Sequence, residues 1–312
     1  MVNGRVVYLG GRYCRWDEAN VHIMSHSFGR GSARFEVISF HDTPAGPAVF
    51  RLDEHVSRFL RSAELLGMEP PLTPVELHEA ILETVGQSGL AAGLVKVFGF
   101  FPAVSSGVLP PAEPFQVAVF AYSPDETPNG KGEQPGASAT ACVSSWRRLD
   151  PQTVPIEAKV AANYVNGMVA RREARTRGFD FAVLLDTQGF LAEGATESLF
   201  LVRGGCLMTP SLGTVLQSIT RKSLLAVAEA MGIETVTGRL SPALLEDAEE
   251  LFLSSSSARV LPIRQMEGRV LAGVPGEVTR RLGERIGAIA AGRDERFRGW
   301  LFPARGGHRR RE

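Results

Sequence analysis

The sequence predicts an α+β fold in two domains. Three observations carry that reading. Short runs rich in β-branched and aromatic residues mix with amphipathic helical stretches, without the regular strand–helix–strand rhythm of a doubly wound parallel sheet. At 312 residues the chain is longer than most single domains. Residues 123–136 are nearly all polar or turn-forming and have no apolar periodicity, so they read as a linker between domains at 1–122 and 137–312.

The elements follow in order. Residues 5–9 and 35–40 are short strands by composition. Residues 53–67 form a helix, because Val56, Phe59, Leu60, Ala63 and Leu66 recur at helical spacing behind Asp53 and Glu54. A second helix, 74–88, opens at Thr73-Pro74, and apolar strands follow at 94–101 and 115–122. Beyond the linker come a strand at 138–145 and a long helix at about 158–177. Strands at 181–186, 189–193, 198–203 and 206–209 are separated by turns at Gly189 and Gly204-Gly205. A helix at 219–232, a strand-and-helix pair over 234–246, a strand at 250–253 and a helix at about 276–291 complete the order. Residues 304–312 are a short basic tail of the kind that frays.

Composition removes several function classes. With 44% hydrophobic and 22% charged residues the chain can bury a sizeable core. Lys+Arg and Asp+Glu both number 34, so there is no overall field to draw in nucleic acid. Cys14, Cys142 and Cys206 are odd in number and far apart, which argues against a disulfide framework or a zinc cluster. No apolar run reaches the roughly 20 residues of a membrane span. The expectation is a cytoplasmic protein acting on small molecules, with no metal, nucleic acid or membrane partner.

Only four of the 34 basic residues are lysines: Lys96, Lys131, Lys159 and Lys222. Lys159 stands apart, flanked by small and apolar residues from Val154 to Tyr164. Apolar surroundings lower an amine's pKa and make it a nucleophile able to form a Schiff base. By itself it also fits an ordinary surface lysine. Glu193, held in a polar turn, offers a carboxylate to a pyridinium nitrogen. The segment from Leu216 to Arg221 opens a helix whose N–H groups and hydroxyls suit an anion, and the Ser254–Ser257 run after a strand offers more hydroxyls.

Together these residues resemble the class IV (fold type IV) pyridoxal-phosphate aminotransferases, most closely the branched-chain amino acid aminotransferases. The resemblance spans about residues 21–290. Its early part rests on His26, Gly31 to Glu36, Phe50-Arg51-Leu52, His55, Arg58 and Ser62-Ala63. The later part rests on Ser145 to Arg148, Lys159, Asn163-Tyr164, Glu173-Ala174, Gly178, Leu185-Asp186, Gly189, Glu193-Gly194, Leu199-Phe200, Thr209-Pro210, Ile219-Thr220-Arg221 and Pro262-Ile263. It implies a two-domain α+β fold, similar to aminodeoxychorismate lyase and D-amino acid aminotransferase, with pyridoxal 5′-phosphate between the domains. Lys159 would form the Schiff base and shuttle the proton. Tyr164 would hydrogen-bond the phenolic oxygen, and Glu193 would pair with the ring nitrogen. Arg58, Ile219, Thr220 and Ser256 would hold the phosphate, and Leu216 would pack on the ring. The resemblance implies a homodimer, with amino acid and 2-oxo acid as substrates.

Departures fall on the substrate side. The family's Phe-Glu-Gly-Ile-Arg is Phe35-Glu36-Val37-Ile38-Ser39 here, and Tyr-Ile-Arg-Pro becomes Leu94-Val95-Lys96-Val97. Lys96 would replace an arginine that accepts a distal carboxylate, keeping the charge without the fork. Arg30 stands where an aromatic is common, and Arg30 with Arg34 would bind a substrate carboxylate. The family's Asn after the second Glu of its Glu-Gly-x-x-Glu-Asn pattern is Ser198, and Ser255 replaces a small Gly. Phe35 and Ser257 complete the expected substrate contacts. The expected reaction is transamination from an L-branched-chain or related hydrophobic amino acid to 2-oxoglutarate. A lyase resembling aminodeoxychorismate lyase and a D-amino acid aminotransferase are the alternatives.

Overall fold

The computed structural model describes residues 5–112, 115–126 and 138–305. Residues 127–136 of the expected linker, with Lys131, and residues 306–312 of the basic tail lie outside the described residues. The chain forms two compact units. Unit 1 comprises residues up to 132, then 158–162, then 288 onward, and unit 2 comprises 133–157 and 163–287. The expected boundary therefore needs two corrections: the short segment carrying Lys159 and the C-terminal stretch both belong with unit 1.

In chain order, unit 1 begins with β1 (Val6–Leu9), β2 (Arg12–Arg15) and α1 (His26–Arg30). It continues with β3 (Arg34–Thr43), β4 (Gly46–Phe50), α2 (Leu52–Leu65), α3 (Pro74–Gln87), β5 (Gly93–Phe100) and β6 (Gln116–Tyr122). Unit 2 supplies β7 (Ala139–Arg147), α4 (Tyr164–Thr176), β8 (Phe181–Leu185), β9 (Leu191–Gly194), β10 (Ser198–Arg203) and β11 (Cys206–Pro210). Then come α5 (Ile219–Ala230), β12 (Thr235–Gly238), α6 (Leu244–Asp247), β13 (Glu250–Ser254), β14 (Leu261–Met266) and β15 (Arg269–Val270). Helix α7 (Glu277–Ala290) ends in unit 1, where β16 (Leu301–Pro303) closes the order.

The unit 1 sheet runs β16-β4-β3-β5-β6-β1-β2. One face carries Ile38, Phe40, Val95, Val97 and Val119, all fully buried beneath the apolar stripes of α2 and α3. Helix α3 starts where Thr73 accepts from Glu76 N–H at 3.2 Å while Glu76 accepts from Thr73 N–H at 2.8 Å, with Pro74 in the first turn. The other face carries Phe35, Lys96, Phe98 and Phe120, in an aromatic row whose neighbouring centroids lie 6.2 Å apart. Strand β4 pairs only with the far half of β3, from Phe40 to Thr43. The near half is left with an open edge, and residues 158–162 occupy it. Phe35 N–H donates to Lys159 O at 3.0 Å, and Ala161 N–H donates to Ala33 O at 2.7 Å. The helix expected from residue 158 therefore starts only at Tyr164, after a short 3₁₀ turn at Ala161–Asn163.

Unit 2 contains a closed ring. Strand β9 pairs with β8 and also with β10, and β10 continues through β13, β14 and β7 back to β8. The tight β10–β11 turn needs left-handed backbone at both positions, which Gly204 (φ 57°) and Gly205 (φ 74°) supply. Short elements without a sequence signature, including β2, β4, β14, β15 and β16, were not expected. Helix α6 is only four residues long, where the sequence had led us to expect a fuller strand-and-helix pair.

Two glycines within helices should respond oppositely to alanine. A Cβ on Gly167 of α4 would sit 2.2 Å from the Ala195 carbonyl oxygen, whereas one on Gly287 of α7 meets nothing within 4 Å. Gly167→Ala should destabilise by roughly 1–3 kcal/mol through overpacking, and Gly287→Ala should stabilise by about 0.5–1 kcal/mol through helix propensity. Urea unfolding of both variants checks the pair of signs.

Candidate active site

Unit 1 builds its part of the site around Lys159. Besides the two bonds to β3, Lys159 N–H donates to Ser62 Oγ at 3.0 Å, so α2 holds the same peptide from the other side. The half-buried side chain places Nζ 4.7 Å from the Phe35 ring centroid. Lys96 approaches the same ring, its Nζ 5.4 Å from Phe35 and 4.8 Å from Phe98. Burial, and then the Lys159 charge, depress the Lys96 pKa. The structure thus brings Lys159, Phe35 and Lys96 together.

Arg58 lies on α2, one turn after His55 and one before Ser62. Its Nε donates to Glu36 Oε1 at 2.7 Å and its Nη2 to Oε2 at 2.6 Å, a bidentate grip. His55 Nδ1 lies 2.8 Å from Glu36 Oε2. Burial alone would raise the Glu36 pKa, but the Arg58 charge and the bonds from His55 and Arg58 overcome it and hold the carboxyl down at about 2. Burial pushes His55 below its usual value, helped by the Arg58 and Lys159 charges and opposed by Glu36. A neutral imidazole donating Nδ1–H to a carboxylate follows.

Unit 2 contributes a row of polar side chains on adjacent strands. Ser198 is paired across β10 with Glu193 of β9 on one side and with Ser254 of β13 on the other. Glu193 is buried and bonded by Arg148 Nε, and Leu216 N–H points at Glu193 Oε1 from 3.4 Å. Arg148 also donates to Asn166 at 3.3 Å. Ile219 and Thr220, both buried, begin α5, whose N-terminus is capped by Ser218 accepting from Arg221 N–H at 3.2 Å. Arg221 reaches back to the Pro210 carbonyl at 2.8 Å, and burial lowers its pKa against the raising effect of Glu193. Ser256 and Ser257 follow β13 in a turn where Ser255 and Ser257 hydroxyls lie 3.1 Å apart. Tyr164, half-buried, is the first residue of α4.

The expected Arg30–Arg34 anion site is not formed. Arg34 shares the inward parity of Glu36 and Ile38 on β3, so its side chain enters the core and is fully buried. Its guanidinium stacks 3.3 Å from the Phe115 centroid, and burial lowers its pKa to about 9. Arg30 points elsewhere and donates to the carbonyls of Gly107 and Ser106, each at 3.2 Å. Glu36, His55, Ser62 and Arg148 had no role in the sequence reading, although each belongs to a quoted motif. The spacing of His55, Arg58 and Ser62 along one helix face was the available signal.

Comparison with known proteins bears on this geometry. The family model described as Amino-transferase class IV matches residues 33–266. The branched-chain-amino-acid aminotransferase of Salmonella typhimurium is 34% identical over 304 residues, covering 95% of this chain and 96% of the relative. A crystal structure of a branched-chain aminotransferase from Thermoproteus uzoniensis with norvaline superposes with a TM-score of 0.90 at 32% identity, covering 96% and 99% of the two chains. The enzyme from Thermobaculum terrenum in its PLP form gives 0.88 at 27% identity, covering 96% and 98%.

Among the described residues, Nε and Nη2 of Arg34 have no hydrogen-bond partner. A buried cation without a carboxylate opposes folding. Arg34→Met should therefore raise stability by about 1–3 kcal/mol, read as a higher midpoint in chemical denaturation.

Proposed function

Since the chain belongs to the class IV aminotransferase family and is therefore an aminotransferase, we propose that it transfers an amino group from an L-branched-chain or related hydrophobic amino acid to 2-oxoglutarate, with pyridoxal 5′-phosphate as cofactor. The observation that carries this reading is Lys159, a half-buried amine beside an aromatic ring whose main chain is bonded on both sides. The wider donor set fits the cofactor as well. Arg58, fixed by a buried carboxylate, suits a phosphate, and buried Glu193 at a strand end suits a protonated ring nitrogen.

When bound, pyridoxal phosphate supplies the aldehyde that captures the substrate amine and the ring that takes up electrons from the substrate carbon. The protein does the rest. Lys159 would hold the aldehyde through its amine and, once displaced by the substrate amine, would take the proton from the substrate carbon and return it. Arg58 would hold the phosphate, as would the N-terminal N–H groups of Ile219 and Thr220 and the hydroxyls of Thr220 and Ser256. Glu193, bonded by Arg148, would pair with the ring nitrogen and keep it protonated. Tyr164 would hydrogen-bond the phenolic oxygen, and Leu216 would pack on the ring. Phe35 would give an apolar wall to the substrate side chain, Ser257 would contact the substrate, and Lys96 would attract the distal carboxylate of 2-oxoglutarate.

A homodimer is part of this proposal. Ile23, Phe28, Val104, Val108 and Leu109 are all more than half exposed, in two segments, 23–28 and 104–109, linked by His26, whose Nε2 lies 3.0 Å from Val108 O. An exposed apolar patch held rigid in this way suits a second copy of the chain. Among the described residues no helix is long and apolar enough to cross a membrane.

Adding L-leucine without an oxo acid should bleach the visible band of the bound cofactor and raise the near-ultraviolet band of its pyridoxamine form. An unmoved band rejects that donor. Lys159→Ala should abolish turnover in steady-state assays. Lys96→Met should raise KM for 2-oxoglutarate roughly 10-fold, the cost of one lost charge-assisted contact, with a smaller change for branched 2-oxo acids.

A further inference from the structure

Glu36 is fully buried and links strand β3, against which the Lys159 main chain lies, to helix α2, which carries Arg58. Strand β3 holds Glu36, its Phe35 N–H donates to the Lys159 carbonyl, and Ala33 just before it accepts from Ala161 N–H. Helix α2 holds His55, Arg58 and Ser62 on one face. Ser62 Oγ accepts from Lys159 N–H and donates to the Arg58 carbonyl at 2.8 Å. The Glu36 carboxylate spans from strand to helix, gripping the guanidinium by its Nε–Nη2 edge and so fixing its plane. His55, itself 2% exposed, fixes the carboxylate in turn.

We propose that Glu36, oriented by His55, is a positioning residue that sets the separation between the Arg58 guanidinium and the Lys159 amine, so that both engage opposite ends of one phosphorylated aldehyde; the inference rests on the reading of Arg58 and Lys159 as phosphate and aldehyde contacts. An arginine has a long, flexible stem, and without its pin the guanidinium has many orientations open to it. Two-ended binding gains strength only when the span of the two contacts matches the ligand. A misplacement of the order of 1 Å costs up to about 100-fold in an organised site. A carboxylate that stays ionised throughout the working pH range, beside a neutral imidazole donor, suits a fixed strut.

The test uses the full chain, stripped of cofactor and titrated by tryptophan fluorescence with three probes. Pyridoxal 5′-phosphate carries both ends, pyridoxal carries only the aldehyde, and 4′-deoxypyridoxine 5′-phosphate carries only the phosphate. Wild type should bind the two-ended probe at least about 100-fold more tightly than either single-ended one. In Glu36→Gln and Glu36→Asp that advantage should fall at least about 10-fold, while affinity for each single-ended probe stays within about 3-fold. Glu36→Asp keeps the charge and shortens the strut by one methylene, so it carries the test should Glu36→Gln fail to fold. An equal loss for all three probes, the signature of a merely structural role, overturns the proposal, as does an undiminished advantage. Failure of wild type to bind any probe overturns the cofactor reading itself.

Discussion

The hydrogen bonds that tie residues 158–162 onto the open edge of β3 are the constraint on which the unit 1 site depends. They exist because β4 covers only the far half of that strand. With the edge occupied, the lysine main chain is fixed at its carbonyl by Phe35 and at its N–H by Ser62, with Ala33 holding Ala161 two residues on, before its side chain does anything. The amine then projects over the aromatic face of the sheet, while the helix side of the same sheet carries the buried Glu36 and its partners. Side-chain alternation along β3 separates these tasks, sending Phe35 to one face and Glu36 to the other.

The unit 2 residues are organised by different means. Closure of the ring brings β9 alongside β10, which puts Glu193, Ser198 and Ser254 in one cross-strand row. Arg148, from the end of the region following β7, reaches Glu193, and the turn before α5 directs a backbone N–H at the same carboxylate. The guanidinium and the amide replace the water this buried acid would otherwise hold.

Much of this was legible in the sequence where the signal was periodic or dense. Helices α2 and α3 followed from apolar spacing and capping residues, and the β10–β11 hairpin from paired glycines. The residue types around Lys159 and Glu193 pointed to their chemistry. Other features depend on pairings that no local pattern encodes. The extended backbone at Lys159 looks helical in sequence, because the small residues on either side favour helix and the strand it joins lies more than a hundred positions away. Arg34 reads as a surface or substrate cation, since charge at a strand start usually faces water. Only the register of β3 reveals that its parity matches Ile38 and not Phe35. Glu36 and His55 were visible as motif residues, but their function depends on a helix and a strand meeting.

The composition of unit 1 also bears on how the protein is made. Three separated stretches build it: residues up to 132, then 158–162, then 288 onward. A ribosome delivers its last strand, β16, only after nearly all of unit 2 has been synthesised. Until then β4 has an exposed edge, and the nascent unit lacks the Trp300 carbonyl that receives the Arg51 N–H at 2.7 Å. Domain-by-domain maturation, in which each part finishes before the next emerges, is therefore closed to this chain. Its first unit waits on its final residues, and such long-range pairings are the slow steps of folding.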